Sequence, residues 1–298
     1  MDEKDTPLGI GLGTLANGAA YLRVHYTADP TKRDLDWVAQ SRREMGSRFW
    51  DQQMEMSEEV YDGEPVFPDY LDERHCPRAH RSSPVNPRTG DPVIVAGSRY
   101  VGGWDAGNTL SPAFVLLQVT PGNQVHCLFE VVPERPEAIG IFSEGVMLAI
   151  QKVIPYSWSK VHHVGDATIV NRNGHTGETA QQVAKRTSGI MIHALSNSWH
   201  PRVSAVTRLL TEMIDADTPR FMLYGATCRV LRKGFMGNYK FEQSARGDER
   251  GAGRILQTPL KNSYSHVHDA FQMAALHVVK IMDTGGEQFT ARRRIQTW

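Results

Sequence analysis

The chain has 298 residues, 40% of them hydrophobic and 22% charged, with 33 basic residues against 33 acidic ones. This describes an ordinary globular protein of one large domain with an appendage, or of two domains, and a balanced charge leaves only local basic surface for a nucleic-acid partner. Cys76, Cys127 and Cys228 lie too far apart for a disulfide framework, no apolar run approaches a membrane span, and the acidic start lacks a signal-peptide pattern, so a soluble intracellular protein with no membrane partner is expected.

Residues 1–30 open with Gly9, Gly11, Gly13 and Gly18, but the lysine of a GxxxxGK[ST] phosphate loop does not follow, and a turn-rich lead-in is expected. From Asp34 to Val60 the pattern turns helical, with Trp37, Val38, Met45, Phe49, Trp50 and Met54 among charges. Asp34 suits an N-cap, and Gly63 with Pro65 stops the run. Six of the 16 prolines fall within 62–98 (Pro65, Pro68, Pro77, Pro84, Pro87 and Pro92), which marks a connector. The main boundary is placed near residue 90, giving segments 1–90 and 91–298.

The second part reads strand, strand, strand, helix. Residues 99–105, 112–119 and 125–132 are short and β-rich, with Pro121-Gly122-Asn123 an explicit turn, so an antiparallel meander is predicted. Pro136 opens a helix carrying Ile139, Phe142, Val146, Ile150 and Val153 at helical spacing, and Pro155 closes it. A brief strand at 160–164 ends in Gly165-Asp166. A short helix near 178–187, a strand at 190–195, a helix from Pro201, a strand at 220–224 and a short helix at 227–235 follow. Residues 238–243 and 254–257 could pair as a hairpin, and 263–283 form a helix that is apolar nearly all round. A meander followed by alternating helices and strands predicts an α/β fold: an RNase H-like mixed sheet flanked by helices, behind a mainly helical N-terminal segment.

Three aspartates stand out by placement. Asp105 ends the first strand after two glycines, Asp166 follows the strand after the first long helix, and Asp269 lies in the last helix. A helix apolar on both sides is buried, and an unpaired carboxylate within it is costly. A metal ion or a basic partner would resolve that conflict. Three carboxylates from separate elements suit Mg²⁺ or Mn²⁺, and two such ions roughly 4 Å apart can activate a water and stabilise the leaving oxygen in phosphodiester cleavage. The plainer readings are a turn or cap role for Asp166 and an arginine partner for Asp269.

Residues from about Tyr21 to His277 resemble the C-terminal portion of the large subunit of tailed-phage terminases, the DNA-packaging motors. The matching stretches are Tyr26-Thr27-Ala28-Asp29-Pro30, Gly103-Trp104-Asp105-Ala106-Gly107 with Ser111-Pro112-Ala113, and Val164-Gly165-Asp166. Cys228-Arg229-Val230-Leu231 leading to Gly237-Asn238-Tyr239, and the run Pro259 to Ala270, complete the series. The resemblance implies an RNase H-like nuclease that cuts concatemeric phage DNA during packaging in the host cytoplasm, with Asp105, Asp166 and Asp269 holding two Mg²⁺ or Mn²⁺ ions. It implies double-stranded DNA, the portal protein, the small terminase subunit and a terminase ATPase domain as partners. Walker motifs are absent, so ATP hydrolysis is not expected of this chain, and residues 21–90 would correspond to the tail of the ATPase region and a linker.

Some members of that family carry a further acid beside the last one, where this chain has His268. His268 and Asn108 are candidates for secondary roles. Lys240, Arg246, Arg250 and Arg254 on the hairpin, with Lys261, are candidate phosphate contacts, against the plainer reading of a solvated loop. Arg292-Arg293-Arg294 reads as a solvated tail, and His75-Cys76 with His80 is a faint zinc pattern without a second nearby cysteine. Two other functions stay open: a different RNase H-like nuclease such as a junction resolvase, and a catalytically silent docking module for the portal or small subunit.

Overall fold

The structure is a computed structural model that describes residues 9–14, 20–45, 54, 64–76, 92–106, 111–172, 176–247 and 253–284. The chain divides into two compact units, Met1–Asp62 and Gly63–Trp298.

In the first unit, β1 (Ile10–Thr14) and β2 (Ala20–Val24) form an antiparallel hairpin where a turn-rich lead-in was expected. Its glycines dilute the apolar alternation by which a strand is recognised. Two 3₁₀ turns follow, Tyr26–Ala28 and Pro30–Arg33, with the Asp29 carboxylate accepting from the Thr31 N–H at 3.0 Å. Helix α1 (Leu35–Met45) follows, and Asp34 caps it as expected, accepting from the Trp37 N–H at 2.8 Å. The later part of the helical stretch expected to reach Val60 falls largely outside the described residues.

The second unit begins earlier than residue 90. Val66, Phe67 and Tyr70 are buried in its core, where Tyr70 stacks on Phe235 at 4.8 Å, and a one-turn helix α2 (Asp72–His75) follows. Prolines here punctuate a packed segment instead of spacing two domains. His75 is fully buried, accepting from the Leu71 N–H and bonding the Leu210 carbonyl, while burial lowers its pKa to about 4. Its two nitrogens are used by the backbone, which removes it from the zinc pattern; His80 lies outside the described residues.

The central sheet contains β3 (Arg99–Asp105), β4 (Ala113–Val119), β5 (Val125–Val131), β6 (Val161–Gly165), β7 (Ile192–Ala194) and β8 (Phe221–Leu223), in the order β7-β6-β3-β4-β5-β8. β3, β4 and β5 pair antiparallel, and the β3–β6, β6–β7 and β5–β8 pairs are parallel. A meander extended on its first strand by parallel βα units is the RNase H-like arrangement, as the element order predicted. β4 is buried at every position because helices cover both faces. Helix α3 (Ile139–Val153) and α4 (Ala180–Ser188) enclose Trp104, Phe114, Leu116 and Leu128 on one face. Helix α5 (Trp199–Thr211), α6 (Arg229–Lys233) and α7 (Ser265–Asp283) cover Val101, Val115 and Leu117 on the other. β9 (Phe241–Gly247) and β10 (Gly253–Pro259) form the expected antiparallel hairpin just before α7.

Candidate active site at the carboxyl ends of β3 and β6

The parallel register pairs Trp104 of β3 with Gly165 of β6. Asp105 and Asp166 each follow this last pair by one residue, at the carboxyl ends of adjacent strands. Trp104 anchors this end of β3: it is fully buried, and its Nε1–H donates to His163 Nδ1 at 3.0 Å. Burial drives the His163 pKa down to about 3, so the ring is neutral and can accept that bond. Alternation along β3 turns Asp105 away from Trp104, toward the face covered by α7. Asp166 takes the cap role weighed for it, with Oδ1 accepting from the Thr168 N–H at 3.0 Å and the Thr168 hydroxyl at 2.6 Å.

Gly102 and Gly103 admit close neighbours on opposite faces. A Cβ at Gly103 would lie 2.2 Å from the Ala270 carbonyl oxygen, and one at Gly102 would lie 2.6 Å from His163 Nδ1. The neighbour that Gly103 admits is therefore helix α7. This contact sets the first turns of α7 over the end of β3, and His266 Nδ1 meets Asp105 Oδ2 at 2.8 Å.

Asp269 has the basic partners that were one of its two predicted resolutions. Arg202 of α5, itself 6% exposed, donates to Asp269 Oδ1, to Asn197 and, at 3.0 Å, to Gln272 Oε1. Gln272 in turn donates to the Tyr239 hydroxyl at 3.2 Å. Lys261 Nζ donates to Asp269 Oδ2 at 2.9 Å, so both carboxylate oxygens are engaged. The order of acids and cations around this end of the sheet is thus Asp166, Asp105 with His266, then Asp269 with Lys261 and Arg202.

The bond to Asp105 raises the His266 pKa above its ordinary value, against a smaller opposing effect of burial. A raised folded-state pKa makes this contact stabilising in full below the ordinary value of about 6.5, and the contribution fades as pH rises through the folded value. In a ¹H–¹⁵N titration the His266 ring is expected to titrate above that ordinary value, and to fall back toward it in Asp105→Asn. An unchanged midpoint in the variant would show that Asp105 is not what stabilises the protonated His266 ring.

Carboxylate oxygens of Asp105 and Asp166 suit a hard divalent cation, which typically takes one or two carboxylates and leaves other positions for water and substrate phosphate. Among the described residues no group of three or more His, Cys, Asp or Glu side chains stands placed to hold an ion. Asp105 and Asp166 are the carboxylates here whose oxygens could be offered to such an ion, whereas Asp269 is paired with Arg202 and Lys261.

His268 does not belong to the site. It is fully buried, stacked on Tyr239 at 4.4 Å and edge-on to Phe235 at 4.7 Å, and burial holds its pKa at about 3. One helical step of about 100° separates it from Asp269, enough to turn it from the sheet end into the core. Asn108 and Arg250 lie outside the described residues; Arg246 and Arg254 fall on β9 and β10, and nothing more is described of their side chains. Lys240 is half-buried at the base of the hairpin, where its carbonyl accepts from the Leu260 N–H at 2.8 Å. Lys261 lies at the site. Two contributors were missed: His266, whose place three residues before Asp269 on one helical face was readable, and Arg202, for which no spacing signal exists.

No family model and no curated protein matches this sequence. Among solved structures, the chain is similar to the large terminase of a thermophilic bacteriophage, at 14% identity and a TM-score of 0.47, over 85% of this chain and 53% of that one. It spans about half the length of that terminase. It is also similar to the large terminase nuclease of the thermophilic phage G20c with bound cobalt (14% identity, TM-score 0.41, 71% of this chain and 96% of that one). A third similar structure is Thermus thermophilus RuvC (15% identity, TM-score 0.28, 63% and 97%).

Proposed function

We propose that this chain is a divalent-cation-dependent DNA endonuclease, the nuclease part of a phage terminase large subunit that cuts concatemeric DNA during packaging in the host cytoplasm. The observation that supports the reading is that Asp105 and Asp166 each stand one residue beyond the paired ends of β3 and β6, with His266 of α7 on Asp105. Residues 1–62 would then belong to the end of an ATPase region, and the portal, small subunit and ATPase domain would be its partners. Among the described residues no helix is long and apolar enough to cross a membrane.

Asp105 and Asp166 would hold Mg²⁺ or Mn²⁺, which supplies activation of water and neutralisation of charge developing on phosphate. The remaining tasks fall to side chains in place. Lys261, whose side chain is 73% exposed, has two further ammonium donors to offer a phosphate oxygen beyond its bond to Asp269. Arg202 orients Asp269 through a buried guanidinium fixed by Asn197 and Gln272. His266 fixes the rotamer of Asp105.

Supercoiled plasmid incubated with the protein and Mn²⁺ is expected to be nicked and linearised, and the activity is expected to vanish with EDTA. Equal cutting in EDTA would sink metal dependence, and no cutting with any divalent ion would favour the silent docking module. Preference for four-way junctions over linear duplex would favour a resolvase.

A further inference from the structure

Beside Asp105 and Asp269, a cleft of about 350 Å³ opens between the ends of the meander strands and the segment leading into α7. Its walls differ in character. The meander side gives Ser111, Pro112, Val132 and Pro133 and is mostly apolar; the α7 side gives Lys261, Asn262, Ser263 and His266 and is polar. Among the described residues lining it there is no carboxylate. A larger cleft of about 540 Å³ between α3 and α4 is different: Glu137, Glu144 and Glu178 line it, and Glu178 engages Arg186 at 3.0 Å. Arg172 and Arg186 stand among the three glutamates of the larger cleft; in the smaller one Lys261 and His266 each bond an acid, but Lys261 is 73% exposed and keeps donors for an anionic ligand.

The polar wall is built in advance of any ligand. Asn262 Oδ1 accepts from the Tyr264 N–H at 2.9 Å, and its Nδ2–H donates to the Asn238 carbonyl at 2.8 Å. Ser265 Oγ accepts from the Asn262 N–H at 2.9 Å and donates to the Leu260 carbonyl at 3.1 Å. These bonds fix the backbone from Leu260 to Ser265, so that Lys261 and Ser263 are presented without an ordering cost at binding.

We propose that this cleft is a nucleotide subsite, taking one deoxynucleotide of the bound strand next to the scissile phosphate. Its phosphate lies against Lys261, Ser111 and Ser263, and its sugar and base lie against Pro112, Val132 and Pro133. The volume is at the low end of pockets for small organic ligands, room for a single nucleotide. The ligand class rests on the nuclease reading; the cleft chemistry does not.

The test is binding without cleavage. Thymidine 5′-monophosphate is titrated into the ¹⁵N-labelled chain in the presence of Ca²⁺, with inorganic phosphate as a second probe. The nucleotide is expected to shift the Ser111, Val132, Lys261 and Ser263 amides and to bind more tightly than phosphate. Ser263→Asp, at an exposed position, and Ser111→Asp are each expected to weaken it at least about tenfold with an unchanged unfolding midpoint. The proposal is overturned if those amides do not move, if both foldable variants bind as the wild type does, or if phosphate binds as tightly as the nucleotide. Since no cleavage is read, any of these results leaves the nuclease reading standing, and an inactive wild type with a filled cleft would overturn only that reading.

Discussion

Asp105→Asn is expected to reduce Mn²⁺-dependent plasmid cleavage by about a hundred- to thousandfold while leaving the unfolding midpoint within a few degrees of wild type. The amide keeps the size of the side chain and its place at the end of β3, but removes the anionic oxygen that a hard cation prefers. Its neighbour His266 still has an oxygen to bond, and nothing buried is left charged without a partner. The corresponding change at Asp269 is less informative, because it strands Arg202, a 7% exposed guanidinium side chain, without its anion. That variant mixes lost stability with lost chemistry. A cleavage rate for Asp105→Asn within about threefold of wild type would remove Asp105 from the site.

The second large effect is on stability. Gly103→Ala is expected to destabilise the second unit by about 3 kcal/mol and to lower its thermal midpoint by roughly 6–12 °C. The added methyl meets a backbone carbonyl of α7 at 2.2 Å and the Ala274 Cβ at 2.8 Å. Neither is the free end of a flexible side chain, so helix and strand must separate. Separation also carries His266 and Asp269 away from Asp105, and cleavage should fall further than the lost stability accounts for. Differential scanning calorimetry beside the plasmid assay checks both parts. A variant that melts like the wild type would show that α7 can slide without cost.

Much of this architecture was readable before the structure. The strand at 99–105 and its two successors are punctuated by turn residues, and Asn123 indeed adopts a left-handed φ of +60° in the turn between β4 and β5. The apolar surround of 263–283 correctly marked a buried helix, and Asp269 within it correctly marked a conflict. The resolution of that conflict was not readable: Arg202 lies 67 residues before Asp269, and no period in either helix relates them. The packed segment around Val66, Phe67 and Tyr70 was hidden for the same reason, since its partners Phe235 and Tyr239 are distant in the chain. Prolines advertise a connector locally, while burial is decided by what arrives later. His268 was misplaced by nearness in sequence to Asp269, where helical geometry separates them.

The His266–Asp105 contact spans 161 positions of the chain. At ribosomal rates of roughly 5–20 residues per second, that separation delays the contact by about 8–30 s after Asp105 is made. The meander and its parallel strands can pair while the chain is still growing, but helix α7 emerges afterwards. The nascent protein therefore carries Asp105, Asp166 and Arg202 before His266 and Asp269 exist. On the proposed nuclease reading, competence to cut would be withheld until synthesis has passed this last helix, and the unfinished polypeptide would be harmless to the nucleic acid around it.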